Sequence, residues 1–362
     1  MANSHSTADE RPIILVTCGD PAGIGPEVVA AAWSRAAAHD LGRLRVVAAP
    51  ATMARAVSHF PGAAIGGLDI VSADDPRTSH PNTMLVIPCG DAEETTPPGR
   101  ISAAGGRAAV AAVDMAFSLV RAGLGHAIVT GPLHKEALRA AGHDAPGHTE
   151  LLARACGLPV SAASMMLWLP PLDATAGGLG VVHATLHQSL RTAIDQLSGD
   201  RIVSAGRRLH HLLRAVLGRQ PRIAVAALNP HGGEGGLFGD EEPRLIAPAV
   251  TELRRAGLDV SGPLPADTLF LRASRGGFDG VVAMYHDQGH IPVKLLGMHR
   301  AVNITLGLPL VRTSVAHGTA FDIVGTGTAD PSSMLAAIDM AARLAASGWP
   351  QTVTEAAAAA AR

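Results

Sequence analysis

Three of the 17 histidines stand after strand-like apolar runs, in polar or Gly-rich turns. They are His187 in VVHATLHQSL, His231 in ALNPHGGEGG and His286 in VVAMYHDQGH. Imidazoles that converge from separate strand ends can bind one divalent metal and leave coordination positions open for a substrate. The long intervals between them match no compact zinc motif, so metal ligation and unrelated structural roles both stay open. His183 lies inside the strand-like run, which favours a core role.

A His-Thr pair, His148 and Thr149, precedes a helical run in GHTELLARA. Thr149 is a predicted helix N-cap, because a threonine hydroxyl can accept a hydrogen bond from the first helical turn. A helix start that presents an imidazole and a hydroxyl is also suited to a phosphate or a carboxylate. The pattern alone does not separate a cap from an anion site.

Four polar residues lie further along the chain: Asp267 in GPLPADTLF, Lys294 in HIPVKLLG, Asn303 in VNITLGLP and Arg312 in LVRTSVAHG. Each one alone fits a salt bridge, a cap or a solvated surface position. Lys294 and Arg312 flank apolar runs, where an unpaired charge is costly. These two residues therefore need anionic partners, and a bound acid or phosphate would serve.

Two Gly-rich segments join strand-like to helical stretches, TCGDPAGIGPE at 17–27 and HGTAFDIVGTGTADP at 317–331. Glycine allows close backbone approach, and Pro26 suits the first turn of a helix. Such loops can lie against a nucleotide, although a connector without a ligand has the same composition. Neither segment contains the GxGxxG fingerprint of dinucleotide-binding folds.

Short apolar runs alternate with Ala/Leu-rich helical patterns along most of the chain. Most of the runs are continuous rather than alternating, which is typical of strands covered on both faces. This order predicts an α/β fold with helices on both sides of a mainly parallel sheet, with ligands at the carboxyl ends of its strands. The predicted strands are Ile13–Thr17, Leu44–Ala48, Met84–Ile87, Ala127–Thr130, Met165–Leu169, Gly180–Ala184, Arg222–Leu228 and Gly280–Met284. The predicted helices are Pro26–Ala38, Gly105–Val120, Thr149–Ala155, Ser204–Leu217, Glu241–Arg255 and Ser332–Ala346.

The composition excludes several classes of protein. The 362 residues are 47% hydrophobic and carry 29 Lys and Arg against 31 Asp and Glu, so no broad basic field exists for nucleic acid or a membrane surface. Aromatic residues make up 3%, too few for base-stacking platforms. Three unclustered cysteines, a polar start without a signal-peptide pattern and no apolar run of membrane length predict a cytoplasmic protein.

The motifs together strongly resemble the 4-hydroxythreonine-4-phosphate dehydrogenase family of pyridoxal phosphate synthesis. The matching segments occur in order from about Ile13 to Ala341. They are GDPAGIGPE, TGPLHKEAL with GHTELLA, TLHQSL, LNPHGGEGG, GPLPADTLF, MYHDQGHIPVK, NITLGLPLVRTS and HGTAFDIVGTGTAD.

The resemblance implies an α/β/α two-domain fold like that of the isocitrate and isopropylmalate dehydrogenases, with the active site in the interdomain cleft. We expect residues 12–145 and 300–350 to form the first, discontinuous domain, with a cofactor loop at 317–331. Residues 146–299 are expected to form the second domain, with the histidine ligands and the dimer contacts. Residues 1–11 and 351–362 are expected to be tails.

The resemblance also assigns roles, residue by residue, in an active site shared between the subunits of a homodimer. The implied metal ligands are His187, His231 and His286, for a divalent cation such as Zn, Mg or Co. The implied substrate contacts are His148, Thr149, Lys294, Asn303 and Arg312, and the implied catalytic residues are Lys294 and Asp267. The implied contacts for NAD or NADP are His317, Gly318, Thr319 and Asp322.

The implied reaction is metal-dependent oxidation, by NAD(P)+, of the C3 hydroxyl of 4-phosphohydroxy-L-threonine. The resulting 3-oxo acid would decarboxylate to 3-amino-2-oxopropyl phosphate. The motifs are shared as readily with a branch that oxidises 4-phospho-D-threonate or 4-phospho-D-erythronate at C3, so that substrate stays an alternative. A further alternative is a non-catalytic small-acid-binding protein on the same fold. Either Lys294 or Asp267 can be the proton acceptor.

Overall fold

The computed structural model describes residues 9–59, 65–90, 96–145, 147–171 and 177–349, which fall into two compact units. The first unit takes the described residues of Met1–Leu151, with Leu310–Thr313 and Gly318–Ala346. The second takes the described residues of Leu152–Pro309, Ser314–His317 and Ser347–Arg362. The chain thus returns to the first unit near its carboxyl end.

The first unit is built on parallel strands in the order β3-β4-β2-β1-β5. Its central strands are continuous apolar runs such as IILVT and AIVT, and nearly all of their residues are buried. The strands are β1 (Ile13–Thr17), β2 (Arg43–Ala48), β3 (Gly67–Ile70), β4 (Thr83–Pro88) and β5 (Ala127–Thr130). The helices are α1 (Gly25–Trp33), α2 (Pro50–His59), α3 (Ala103–Arg121), α4 (Lys135–Ala140) and α11 (Ser332–Ala346). Two further elements, α5 (His148–Ala155) and β12 (Val311–Val315), begin in this unit and end in the second.

The described part of the second unit contains six strands in the order β11-β6-β7-β10-β8-β9. The last four of these are parallel to one another, whereas β6 runs antiparallel to both β11 and β7. The strands are β6 (Ser164–Leu169), β7 (Leu179–His183), β8 (Ile223–Ala226), β9 (Val260–Leu264), β10 (Gly280–Ala283) and β11 (Val302–Leu306). The helices are α6 (Leu190–Asp195), α7 (Gly199–Leu217), α8 (Ala247–Arg255), α9 (Ala266–Ser274) and α10 (His286–Gly297).

The α/β class is confirmed, and each predicted strand is present with its ends shifted by two residues at most. The sequence pattern missed β3, β9, β11 and β12. Strands β3 (GLDI) and β9 (VSGPL) carry Gly, Asp or Pro, which weaken a strand pattern. The predicted helix Glu241–Arg255 divides into a π-helical turn over Glu242–Ile246 and the α-helix α8.

Helix α3 is long and apolar enough to cross a membrane by length and composition alone. Eight of its 19 residues are buried, and it packs against β1, β5 and α4 inside the first unit. A core helix of a folded domain passes the same length and composition test, so the packing accounts for its apolar character.

Candidate functional site

Four predicted site residues follow the carboxyl ends of four neighbouring parallel strands. The register pairs of β7, β10, β8 and β9 bring these strands to an end at nearly the same level. Neighbouring strands lie about 4.8 Å apart, so side chains placed shortly after their ends lie at one edge of the sheet. The residues at this edge are His187 after β7, His286 after β10, His231 after β8 and Asp267 after β9.

A cluster of imidazoles surrounds His286. The rings of His286 and His290 stack with their centroids 3.7 Å apart, and the His187 ring lies 5.6 Å from that of His286. The Nε2 atom of His183 lies 3.1 Å from Nδ1 of His290. His183 is buried at the end of β7, which confirms the expectation of a core role.

The two buried imidazoles of this cluster are neutral at pH 7. Burial lowers the pKa of His183 well below its ordinary value, and the neighbouring histidines lower it further. Burial and the His286 ring lower the pKa of His290 to about 4. His286 itself contacts Asp287, with 2.6 Å between Nδ1 and Oδ1, which leaves its Nε2 for another partner. A carboxylate behind an imidazole is the arrangement that orients histidine ligands of metals.

His231 lies in a loop of unusual backbone conformation. Its φ is 54°, and positive φ values continue through residue 236. A left-handed conformation costs a non-glycine residue roughly 1 kcal/mol, so His231 is held there by its surroundings. The Glu242 carboxylate anchors the loop by accepting hydrogen bonds of 2.8 Å from the backbone N–H groups of Leu228 and Asn229. Burial opposes ionisation of Glu242, but these hydrogen bonds prevail and lower its pKa.

The metal donors expected from the sequence come together only in part. His187 and His286 are in ring contact. Across the described residues, no group of three or more His, Cys, Asp or Glu side chains is placed to hold a metal ion. His231 therefore shares the sheet edge with the other two histidines but does not complete a ligand set with them inside one chain.

Helix α10 presents three basic side chains on one face. His286, His290 and Lys294 are spaced four residues apart, so they lie above one another along the helix. The charge of Lys294 contributes to the lowered pKa of His290. Lys294 is exposed, as is Asp267 in the first turn of α9. Both candidate proton acceptors are thus open to solvent.

Gln288 fixes the two strand ends that carry His286 and His231. Its side chain is buried, with Oε1 accepting a 2.7 Å hydrogen bond from Met284 N–H and Nε2 donating one of 2.7 Å to the Ala227 carbonyl. Met284 follows β10 and Ala227 follows β8, so one amide joins the two ends. Sequence analysis missed this residue, because the partner at Ala227 lies 61 positions away along the chain.

The first unit contains the His-Thr pair and Arg312. The Arg312 side chain is 4% exposed, and its Nη2 donates a 2.6 Å hydrogen bond to Oγ1 of Thr130, the last residue of β5. Burial lowers the pKa of Arg312 to about 9, so the guanidinium is charged at pH 7. Burial and this charge lower the pKa of His148 well below its ordinary value, and its buried Nε2 has no hydrogen-bond partner among the described residues.

The predicted N-cap is wrong by two positions. Helix α5 begins at His148, so Gly147 precedes the helix and Thr149 lies in its first turn. The helix thus begins two residues earlier than a cap at Thr149 would place it. Both residues still stand at a helix start, where backbone N–H groups have no partner within the helix.

The two Gly-rich segments pack against each other in the first unit. Ile24 N–H donates a 2.9 Å hydrogen bond to the Thr319 carbonyl, and Gly325 N–H donates one of 2.7 Å to Oε1 of Glu27. A Cβ atom on Gly23 would lie 2.8 Å from the same Thr319 carbonyl oxygen. Of the residues expected to bind the cofactor, Thr319 is buried, His317 is partly buried, and Gly318 and Asp322 are exposed.

The remaining expected substrate contact is Asn303 on β11. Its Nδ2 donates a 3.1 Å hydrogen bond to the Val315 carbonyl.

Polar side chains at the carboxyl ends of parallel strands, with imidazoles in contact, define an α/β protein equipped for acid–base or metal chemistry. The chain belongs to the family described as pyridoxal phosphate biosynthetic protein PdxA, which matches residues 41–341. The family recognised from the sequence motifs is thereby confirmed.

Close relatives carry two different names. The chain is 46% identical to a 4-hydroxythreonine-4-phosphate dehydrogenase from Beijerinckia indica, over 91% of this chain and 94% of that relative. It is 45% identical to a D-threonate 4-phosphate dehydrogenase from Cupriavidus necator, over 93% of this chain and 98% of that relative. A crystal structure of a 4-hydroxythreonine-4-phosphate dehydrogenase from Klebsiella pneumoniae superposes with a TM-score of 0.78 at 44% identity, covering 92% of this chain and 99% of that one.

Proposed function

We propose that this protein is a divalent-metal-dependent dehydrogenase that oxidises a secondary hydroxyl of a phosphorylated hydroxy acid. The observation that carries the proposal is the placement of His187, His286, His231 and Asp267 after four level parallel strands, in a chain whose relatives are named as dehydrogenases of such substrates. The favoured substrate is 4-phosphohydroxy-L-threonine, oxidised at C3. The 3-oxo acid has its ketone β to the carboxylate, so it would lose CO2 to give 3-amino-2-oxopropyl phosphate.

His187, His231 and His286 would hold the metal ion, which supplies Lewis-acid polarisation of the hydroxyl when bound. The fit rests on the ring contact of His187 with His286 and on Asp287 beside Nδ1 of His286, which leaves Nε2 of His286 for a metal ion. Among the described residues of one chain the ligand set is incomplete, which supports a site completed across two subunits.

The protein side chains bind the anionic ends and move the proton. Arg312 is a buried cation, and His148 and Thr149 stand at a helix start, so these three suit the carboxylate or phosphate groups. Lys294 or Asp267 accepts the hydroxyl proton, and both are exposed at the second unit. NAD or NADP, bound through His317, Gly318, Thr319 and Asp322, supplies the hydride acceptor.

The surface of α10 supports a homodimer. Ile291, Leu295 and Met298 are 54%, 83% and 42% exposed, and their spacing places them along one side of the helix and its extension. Exposed apolar side chains in a contiguous row are typical of a surface that a partner covers. This row lies on the helix that carries His286, so a partner seated there would stand near the incomplete ligand set. The cytoplasm is the proposed compartment, since the three cysteines form no disulfide where the chain is described.

The substrate is tested by comparing rates of NADH or NADPH formation on 4-phosphohydroxy-L-threonine and on 4-phospho-D-threonate, with Zn, Mg or Co added in turn. A kcat/KM at least about tenfold higher on the first compound supports the favoured substrate. The reverse ratio assigns the chain to the acid-sugar branch instead. Binding of both compounds without turnover with any metal or nucleotide would refute the enzyme and favour a small-acid-binding protein.

The metal ligands are tested separately from turnover. His231→Ala is expected to lose bound metal by elemental analysis, because the substitution removes one of the three proposed imidazole ligands. His299→Ala is the matched control, since His299 is an exposed imidazole in the short helix that follows α10. Full retention of metal by His231→Ala contradicts the ligand assignment.

A further inference from the structure

A cavity of about 360 Å³ lies within the second unit, beside the histidine cluster. One face of α7, the start of β6 and the end of β7 form its walls. The polar residues that line it are Asp200, Arg201, Ser204, Arg208, Ser164 and His183. The lining residues include none of those proposed to bind substrate, cofactor or metal, and the volume falls in the range of small-molecule sites.

Arg208 brings a positive charge into the cavity wall and forms no ion pair with the described residues. Its Nη1 donates a 2.9 Å hydrogen bond to Oγ of Ser164. Within the described ranges no carboxylate lies within salt-bridge distance of Arg208, although Asp200 lines the same cavity. Burial lowers the pKa of Arg208, and no neighbouring charge offsets that effect. A guanidinium has five N–H donors, so the hydrogen bond to Ser164 uses only one of them.

The rest of the cavity is also suited to an anion. Residues 201, 204, 205 and 208 follow the spacing of one helix face, so Arg201 lies two turns before Arg208 on the same wall. Arg201 stands in the first turn of a 19-residue helix, whose N-terminal end favours negative charge. On the opposite wall, the buried Nδ1 of His183 has no hydrogen-bond partner in the described part of the chain.

We propose that this cavity is a binding site for a small organic anion, a phosphate monoester or a carboxylate, with Arg208 as its principal contact. A bidentate guanidinium suits both groups. The site is separate from the residues assigned to the substrate, and the inference does not require dehydrogenase activity. Its wall residue His183 belongs to the histidine cluster and contacts His290, so an occupant would lie against one member of that cluster.

The test measures binding by calorimetry with three probes: inorganic phosphate, 3-phosphoglycerate and malonate. We expect Arg208→Leu to lose one binding event, or to weaken it by at least about tenfold, which corresponds to the loss of one hydrogen bond to a charged group. Arg207→Leu is the matched control on the same helix, because Arg207 pairs with Glu252 at 3.1 Å. The control should bind each probe within about twofold of the unmodified protein.

A second variant distinguishes a loss of binding from a folding defect. Ser204 lines the cavity and is exposed, so Ser204→Leu narrows the cavity and leaves both arginines in place. This variant should bind the probes more weakly than the unmodified protein and unfold at the same temperature. Tight phosphate-monoester binding with weak malonate binding would identify phosphate as the recognised group, and the reverse would identify carboxylate. Equal binding by Arg208→Leu, Arg207→Leu and the unmodified protein, or no binding event outside the substrate site, would overturn the proposal.

Discussion

Replacing Gln288 by Met tests whether one buried amide holds the strand ends that carry His286 and His231. Methionine has a similar length but makes neither hydrogen bond, so the N–H of Met284 and the carbonyl of Ala227 would both lose a partner. Each unsatisfied buried group costs about 1–3 kcal/mol, and apolar burial of the new side chain offsets part of the sum. We therefore expect a loss of roughly 2–4 kcal/mol in the free energy of unfolding.

The measurement is urea unfolding, with a thermal scan as a second readout. A unit of this size shifts by about 2–4 °C per kcal/mol, so the unfolding temperature should fall by roughly 4–16 °C. Gln220→Met is the control, because Gln220 is exposed and donates a single 3.0 Å hydrogen bond to the Gly257 carbonyl. Metal affinity should fall in the Gln288 variant and not in the control. A Gln288 variant with unchanged stability and metal affinity would refute the bridging role.

Asp279 and Gly25 give further predictions. Burial opposes ionisation of Asp279, but hydrogen bonds from Arg219 and Arg222 prevail and hold its pKa well below the ordinary value. The folded-state pKa is depressed, so this stabilisation is present above about pH 4 and is lost as the pH falls further. Asp279→Asn should thus lower the urea midpoint at pH 7 by an amount that shrinks below pH 4, and a gap independent of pH would contradict the ion pairing. Gly25→Ala should unfold or aggregate, because a Cβ atom there would lie 1.8 Å from the Cys18 carbonyl oxygen, and a soluble variant with an unchanged unfolding temperature would show that the turn is not tightly packed.

The strands could be predicted wherever burial on both faces makes the sequence continuously apolar. IILVT, AIVT and GVVA each fall at or within one residue of the observed strand bounds. Helix α10 was not predicted, because HDQGHIPVKLLG contains an internal Gly and Pro292 and looks polar. Its stability comes from packing against β6, β7 and β10, which a single sequence does not display.

The residue types of the candidate site and their positions after strands could be predicted from the sequence. The distances between their side chains could not. His187 and His286 were expected to meet, and their rings are in contact. His286 stacks on His290 because side chains four residues apart are neighbours in a helix. The sequence pattern did not predict a helix here, so it did not predict the stacking. The bridge from Gln288 to Ala227 depends on β8 lying beside β10, which is a property of the sheet and not of the local sequence.

Under the proposed ligand assignment, the shared level at which β7, β10, β8 and β9 end makes the metal content of a sample a measure of correct folding. A slip of two residues in strand pairing keeps each side chain on its own face but moves everything beyond the strand by about 6.6 Å. Metal–ligand bonds tolerate about 0.2 Å. A slipped chain would bury much the same apolar surface and stay in solution, yet it would bind no metal at the proposed site. The molar ratio of metal to protein in a purified sample would then give the fraction of molecules with correctly paired strands. Solubility and secondary-structure content would not separate these molecules from the slipped ones.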